Sequence, residues 1–312
     1  MAGDRDRLEQ AIESRATLLT DDEVHDIGAL MAPTILVTGM SPERTRALIA
    51  APGLAWIHST SSGVEHLPLA ELAARQIILT NSAGAHAPAM AEYALGAMIS
   101  LAHGTPVWAE GQRVRRWLPL DATPVTLLYG KRLGIVGYGA VGRQLARAVA
   151  ALGMRTWAVR RTPLFPAGEP VERMLGPAEL HELLAASDFL VLCTSLNASS
   201  LHLIGEAELA SIKRGAFLIN LARGDLVDER ALVRALEEGR LGGAALDATS
   251  TEPLPLDSPL WDAPRLILTP HVSGSSPESW QAVVDFLCEN LRVFLGGAPE
   301  RLGNQVRYES VL

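Results

Sequence analysis

The chain has 312 residues, 48% of them hydrophobic and 20% charged, a balance that excludes disorder and a length that suits two domains. Lys and Arg total 27 against 35 Asp and Glu, a formal net charge of -8. That excludes a general nucleic-acid binder, which needs a basic surface to displace counterions, but leaves room for a local basic pocket.

The first ten residues are charged and carry no apolar core, so a secretory signal is not expected and a cytoplasmic protein is. A helix-like charged segment spans 4–14. Apolar runs at 16–20, 34–39, 55–59 and 77–81 then read as buried strands, with amphipathic helices at 42–50 and 67–75 between them. Ser41 and Pro42 supply an N-cap and a first helical residue. This alternation predicts a parallel sheet covered on both faces. His58, His66 and His86 are scattered without ligand spacing, so no metal is expected.

The most apolar stretch, 89–102, is interrupted by Glu92 and is too short to cross a bilayer, so no membrane partner is expected. A helical pattern runs on to Trp117 with a break at Gly104 to Pro106. A connector of this length is a natural oligomer arm and predicts a homodimer. Arg113, Arg115 and Arg116 on it read as a solvated or arm-packing face.

A second β-α series follows, with strands at 133–136, 156–159, 189–193, 216–220, 244–247 and 266–269. Its helices fall at 141–152, 177–185, 205–211 and 229–239, and a final helix at 277–295 is long enough to return to the first domain. Cys193 and Cys288, far apart in apolar surroundings, read as buried thiols rather than a disulfide. The expected architecture is α/β: two doubly wound Rossmann-like domains. Residues 99–279 form a dinucleotide-binding domain inserted into a flavodoxin-like substrate domain made of 1–98 and 280–312.

The dinucleotide assignment rests on Gly137-Tyr138-Gly139-Ala140-Val141-Gly142, which follows one strand, opens a helix and precedes another strand. Gly137 allows the tight turn, Gly139 lets the backbone approach a pyrophosphate, and Gly142 lets helix pack on strand. The helix N-terminus offers free N–H groups to the phosphates. The next strand ends in Arg160-Arg161, with no acid before Glu169. An NAD enzyme usually has a carboxylate there for the ribose 2′-OH, whereas arginine accommodates a 2′-phosphate, so NADP is expected over NAD. The other reading makes both arginines solvated surface charges and leaves either dinucleotide accepted.

Three groups follow the ends of late strands: Arg223, Glu252 and His271. In an open α/β sheet that edge binds ligands. Ketone reduction needs a proton delivered as hydride arrives, which suits histidine. A neighbouring carboxylate orients that histidine and favours its charged form, and an arginine grips a substrate carboxylate.

Here the chain resembles the D-isomer-specific 2-hydroxyacid dehydrogenase family. The resemblance is carried by the glycine motif, Asn220-Leu221-Ala222-Arg223-Gly224-Asp225-Leu226-Val227-Asp228-Glu229, Ala245-Leu246-Asp247, Glu252-Pro253 and Thr269-Pro270-His271-Val272-Ser273-Gly274, and extends over most of the chain. It implies an NAD(P)-dependent dehydrogenase acting on a small 2-oxo or 2-hydroxy acid, with Arg223 on the substrate carboxylate and carbonyl, Glu252 supporting the histidine, and His271 as acid/base. It also implies Asp247 at the nicotinamide carboxamide and backbone donors for the carboxylate at Ser62 and Gly63. Thr194, Ser195, Ala222, Ser273 and Gly274 complete the cofactor-binding set. Within the family the chain is similar to the glyoxylate/hydroxypyruvate reductase branch, which often uses NADP.

Two departures stand out. The family's usual first strand precedes its first helix, whereas here the charged helix-like segment comes first, so that strand is expected to be missing or rearranged; and Asn197 stands where Thr is common. A dinucleotide-sensing regulatory protein without turnover is the competing class, since fold alone does not establish catalysis; the intact trio counts against it. A formate or phosphite dehydrogenase would keep the cofactor and change the substrate.

Overall fold

The computed structural model describes residues 2–19, 23–24, 26–38, 42–163 and 167–310. The chain divides into two compact units, Met1–His86 with Ser275–Leu312, and Ala87–Gly274. The expected capping residue Ser41 lies outside the described residues.

In the first unit β1 (Thr34–Thr38), β2 (Leu54–Ser59) and β3 (Ile78–Asn81) form a parallel sheet in that order. Helices α1 (Ala2–Ile12), α2 (Pro42–Ile49), α3 (Leu69–Ala74) and the C-terminal helix Pro277–Leu295 accompany it. The charged α1 forms because it has a stripe to bury: Leu8 and Ile12 join Trp56, Leu287 and Leu291 in one apolar cluster. The run at 16–20 is not a strand over its described residues 16–19. Three apolar positions cannot decide between strand and loop, and here Leu18 packs into the Trp56 cluster instead. The open edge of β3 is covered by the tail. Thr80 bridges Gln305 in antiparallel sense, the Val306 N–H donates to Leu79 O at 2.8 Å, and the Tyr308 hydroxyl donates to Ile77 O at 2.6 Å.

The second unit holds a seven-stranded parallel sheet. Its strands are β4 (Arg132–Val136), β5 (Arg155–Val159), β6 (Arg173–Leu175), β7 (Phe189–Leu192), β8 (Phe217–Asn220), β9 (Gly243–Leu246) and β10 (Leu266–Leu268). They run in the order β10-β9-β8-β7-β4-β5-β6, so the winding reverses between β4 and β7. Every residue of β7, β8 and β9 is buried, as a central parallel sheet with both faces covered requires. One face is covered by α7 (Leu180–Ala186), α8 (Glu206–Ser211) and α9 (Glu229–Glu237), through Leu183, Leu209 and Leu232. The other is covered by α4 (Ala87–Ala102) and α6 (Ala140–Ala150), through Met98, Leu101, Leu145 and Val149. Because α4 packs in this core, its first turns belong to the second unit, twelve positions earlier than the expected boundary at 99.

The connector is two helices, α4 and α5 (Thr105–Arg113), and the second stops short of Trp117. Val114 caps it and Arg115 turns left-handed at φ 55°, so the arginine run leaves the helix. β6 carries no sequence signal, being a three-residue edge strand that starts with Arg173. Among the described residues no helix is long and apolar enough to cross a membrane.

Candidate active site

The glycine turn sits at the reversal of the sheet, where ligands of open α/β sheets bind. Gly137 has φ 95°, and a Cβ there would lie 2.7 Å from Cys193 O and Thr194 N, so the turn and the loop after β7 touch only because this residue is glycine. A Cβ on Gly142 would meet Gly137 O at 3.0 Å and Ile135 Cγ2 at 3.1 Å, so α6 rests directly on β4. At Gly139 a Cβ would meet nothing within 4 Å. That open approach, beside the N-terminus of α6 with no capping side chain, fits the diphosphate of a dinucleotide. Ala140 and Val141 form the first turn of that helix.

Tyr138, by contrast, points inward. It is buried, and its hydroxyl donates to Glu169 Oε2 at 3.1 Å while Arg147 donates to Glu169 Oε1 at 2.9 Å. Burial, with the carboxylate adding to it, pushes the Tyr138 phenol up to about 12. The first acid after β5 is therefore spent on Tyr138 and Arg147. Arg160 and Arg161 stand at the end of β5, and neither forms an ion pair among the described residues.

Three loops at the same sheet edge carry the candidate catalytic groups. Arg223 follows β8, with its Nη1 donating to Ala222 O at 2.8 Å and its carbonyl accepting from Asn220 Nδ2 at 2.8 Å. Beside it, a Cβ on Gly224 would lie 2.0 Å from Thr249 C and 2.1 Å from Ser250 N. The loop after β8 thus presses directly on the loop after β9. Glu229, on α9, braces that second loop by accepting from the Ser250 N–H at 2.7 Å.

Glu252 and His271 meet: His271 Nδ1 lies 3.0 Å from Glu252 Oε2 and 3.2 Å from Oε1. Glu252 Oε1 also accepts from the Thr249 N–H at 3.0 Å. Facing a carboxylate, Nδ1 is the donor, which leaves Nε2 for another partner. His271 is 41% and Glu252 40% exposed, so the pair is within reach of a ligand. The histidine backbone is left-handed, with φ 55°. Non-glycine residues rarely adopt that conformation, and histidine does so more readily than most.

Asp247 holds this loop in place. It is 1% exposed and accepts from the Val272 N–H at 2.8 Å, the Ser273 N–H at 2.9 Å and the Thr269 hydroxyl at 2.7 Å. Its carbonyl accepts from the His271 N–H at 2.8 Å. Ser273 is buried and Gly274 follows it; Thr194 and Ser195 follow β7, and Ala222 follows β8. Asn197 caps its own turn by accepting from the Ser199 N–H at 2.9 Å. Ser62 and Gly63 lie in the first unit on the loop after β2, where Asn81 Nδ2 donates to Ser62 O at 2.8 Å. The backbone N–H groups of Ser62 and Gly63 donate to no partner among the described residues. Gly224 and Glu229 lie within the motif that carries the resemblance, but their parts in pressing and bracing the loop after β9 are not readable from it.

A cavity of about 460 Å³ opens elsewhere in the second unit, at the opposite, N-terminal sheet edge, lined by Lys131, Lys213, Arg214 and Arg265 among others. Lys213 is bound to Asp188 at 2.6 Å, and Arg265 donates to Gly242 O and Leu236 O. Its volume does not make it the reactive site, since it lacks any acid/base pair of the kind joined at Glu252 and His271.

Residues 95–273 match the model of the D-isomer specific 2-hydroxyacid dehydrogenase, NAD binding domain. The chain belongs to the D-isomer-specific 2-hydroxyacid dehydrogenase family. It is 32% identical over 290 residues to a glycerate dehydrogenase of Methylorubrum extorquens, covering 91% of this chain and 88% of the relative. It is 33% identical over 294 residues to a glyoxylate reductase of Korarchaeum cryptofilum, covering 91% and 85%. A solved D-isomer specific 2-hydroxyacid dehydrogenase of Xanthobacter autotrophicus Py2, in complex with NADPH and MES, superposes with a TM-score of 0.78 at 26% identity, over 98% of this chain and 94% of that one. This enzyme is accordingly an NAD(P)-dependent oxidoreductase of that family.

Proposed function

We propose that this dehydrogenase reduces a small 2-oxo acid of the glyoxylate or hydroxypyruvate type, with NADPH as the preferred dinucleotide. The observation that carries the reading is the 3.0 Å contact of His271 Nδ1 with Glu252, which leaves Nε2 to serve the substrate. The bound dinucleotide supplies the hydride. His271 donates a proton from Nε2 to the carbonyl oxygen, and Glu252 keeps the ring oriented and balances its charge. Arg223 binds the substrate carboxylate with a charge-assisted fork and polarises the carbonyl. Ser62 and Gly63, in the first unit, keep the role of substrate-binding residues through their backbone N–H groups. Asp247 has roughly one acceptor position left after its three bonds, which suits the nicotinamide carboxamide.

The substrate class is supported by the glyoxylate reductase and glycerate dehydrogenase relatives. NADPH is supported by Arg160 and Arg161, by the diversion of Glu169 to Tyr138, and by the NADPH-bound Xanthobacter structure. Initial rates with NADPH and NADH against glyoxylate, hydroxypyruvate, pyruvate and phenylpyruvate test the reading. Oxidation of NADPH well ahead of NADH with one of the first two acids is expected. Tight dinucleotide binding without oxidation would overturn it in favour of a sensing protein.

A homodimer is part of this proposal. After α5 the chain leaves Trp117 99% and Leu120 96% exposed, with Tyr129 also outward, an apolar display that a partner subunit would cover. Light scattering at micromolar concentration should give twice the monomer mass; a monomer removes this part.

A further inference from the structure

The hydrogen bonds around Asp247 extend beyond the residues assigned so far, into α4. Tyr93, on that helix, has its hydroxyl oxygen 2.6 Å from Thr269 Oγ1, and Thr269 Oγ1 is 2.7 Å from Asp247 Oδ1. The direction of both bonds follows from the donors available. Both carboxyl oxygens of Asp247 accept from backbone N–H groups, so Thr269 gives its single proton to Oδ1, and Thr269 Oγ1 then accepts from the Tyr93 phenol. Both bonds are at the short end of the usual O–H···O range, as expected where the last acceptor is a carboxylate. Burial, the main influence on the phenol, raises its pKa, so Tyr93 remains a donor across the working pH range.

The chain of bonds ends on the backbone of the catalytic loop, since Asp247 accepts from Val272 and Ser273 and its carbonyl accepts from His271. That backbone includes the left-handed His271. A residue in that region persists where its surroundings over-determine it. Without Tyr93, Thr269 would lose the bond that fixes its rotamer, and its hydroxyl would no longer be aimed at Asp247 alone.

We propose that Tyr93 is a positioning residue for the catalytic histidine, acting through Thr269 and Asp247 on the backbone of residues 271–273. The proposal rests on the assignment of His271 as acid/base for its catalytic consequence, but not for its structural one. Three loops after β8, β9 and β10 carry the reacting groups, and Tyr93 ties one of them to a helix buried on the sheet face. Its hydroxyl bonds Thr269 rather than Arg223, Glu252 or His271.

Tyr93→Phe keeps the ring and removes only the donor. Amide hydrogen exchange at Val272 and Ser273 should accelerate by roughly tenfold, with the rest of the second unit unchanged. Turnover should fall by about three- to tenfold, the scale of one hydrogen bond. Thr269→Val should lose more, and Thr269→Ser, which keeps the hydroxyl, should recover most of it. In the Tyr93→Phe/Thr269→Val double variant the tyrosine change should cost nothing further, because its route to Asp247 is already cut. Unchanged exchange at 272 and 273, or losses that multiply in the double variant, would overturn the proposal. His271→Ala separates the two ideas. Full turnover in that variant would remove the acid/base assignment, while the exchange result would still decide whether Tyr93 holds the loop. A melting temperature equal to wild type in Tyr93→Phe shows that the variant is folded, and Thr269→Ser against Thr269→Val gives the same comparison should it not be.

Discussion

Two histidines in this molecule have opposite surroundings. His58, on β2, is fully buried between Trp56 and Phe286, and both ring nitrogens are satisfied. Trp56 Nε1 donates to Thr80 Oγ1 at 2.9 Å, Thr80 Oγ1 lies 2.8 Å from Nδ1, and Nε2 lies 3.1 Å from Ser82 Oγ, which donates on to Ser59 O. The pattern is complete when Nδ1 accepts and Nε2 donates, the neutral ring. Burial pushes its pKa down to about 4. His271 has one nitrogen on a carboxylate and lies 41% exposed on a left-handed backbone. A histidine with every polar atom paired inside the fold holds the structure, whereas one with a nitrogen left over and a neighbour that tolerates its charge is equipped to exchange protons.

The sharpest way to break this contrast is to remove each ring. His271→Ala should lower kcat by about a hundred- to ten-thousandfold, the usual effect of losing a positioned acid/base, with an unchanged melting temperature. A kcat near wild type would put His271 among the structural histidines. The same distinction between satisfied and available charge applies to the arginines after β5. Replacing Arg160 and Arg161 with Ser should shift the ratio of NADPH to NADH affinity by roughly ten- to a hundredfold toward NADH, as expected for lost hydrogen bonds to a charged phosphate. An unchanged ratio in titrations of each dinucleotide would make both arginines ordinary surface charges.

His58 supplies the complementary test, read in stability. Between pH 6.5 and about 4 the unfolded chain binds a proton that the folded one does not. Its contribution is therefore complete above pH 6.5 and is lost as pH falls toward 4. Urea midpoints should drop over that window, and His58→Gln should flatten the drop while leaving kcat per folded molecule within about twofold at pH 7. An equally steep drop in the variant would assign the pH dependence to other groups. The smallest effect belongs to the cavity edge. Lys213→Met, which breaks a partly exposed pair with Asp188, should cost at most about 1 kcal/mol and leave turnover unchanged. A large loss of turnover would mean that the cavity communicates with the strand ends opposite.

Much of this was legible in the amino-acid order, for identifiable reasons. Central parallel strands such as Phe189–Leu192 and Phe217–Asn220 are buried on both faces and so appear as unbroken apolar runs. The turn at Gly137 is legible because both its backbone angle and its contact with Cys193 O exclude a side chain. The edge strand Arg173–Leu175 was not, since half-solvated positions impose little pattern. Residues 16–19 were misread because an apolar run serves a loop covering Trp56 as well as it serves a strand. Tyr93 and Thr269 are 176 positions apart, and no periodicity connects two side chains that meet only after the sheet has formed. The Glu252–His271 approach was accessible only as far as strand ends could be aligned on one edge; the atom-level contact required the folded loops.

The tail along β3 has a consequence for how this protein behaves outside its native fold. Gln305 and Val306 occupy the place of a fourth, antiparallel strand, and Tyr308 fastens that segment to Ile77. An uncovered strand of Ile78, Leu79 and Thr80 would offer a ladder of free amides and carbonyls to any passing chain, the usual template for intermolecular β pairing. Shortening the chain before residue 304 therefore trades a closed sheet for a sticky one. Precipitation on warming, rather than any change in chemistry, is what such a truncation should reveal first.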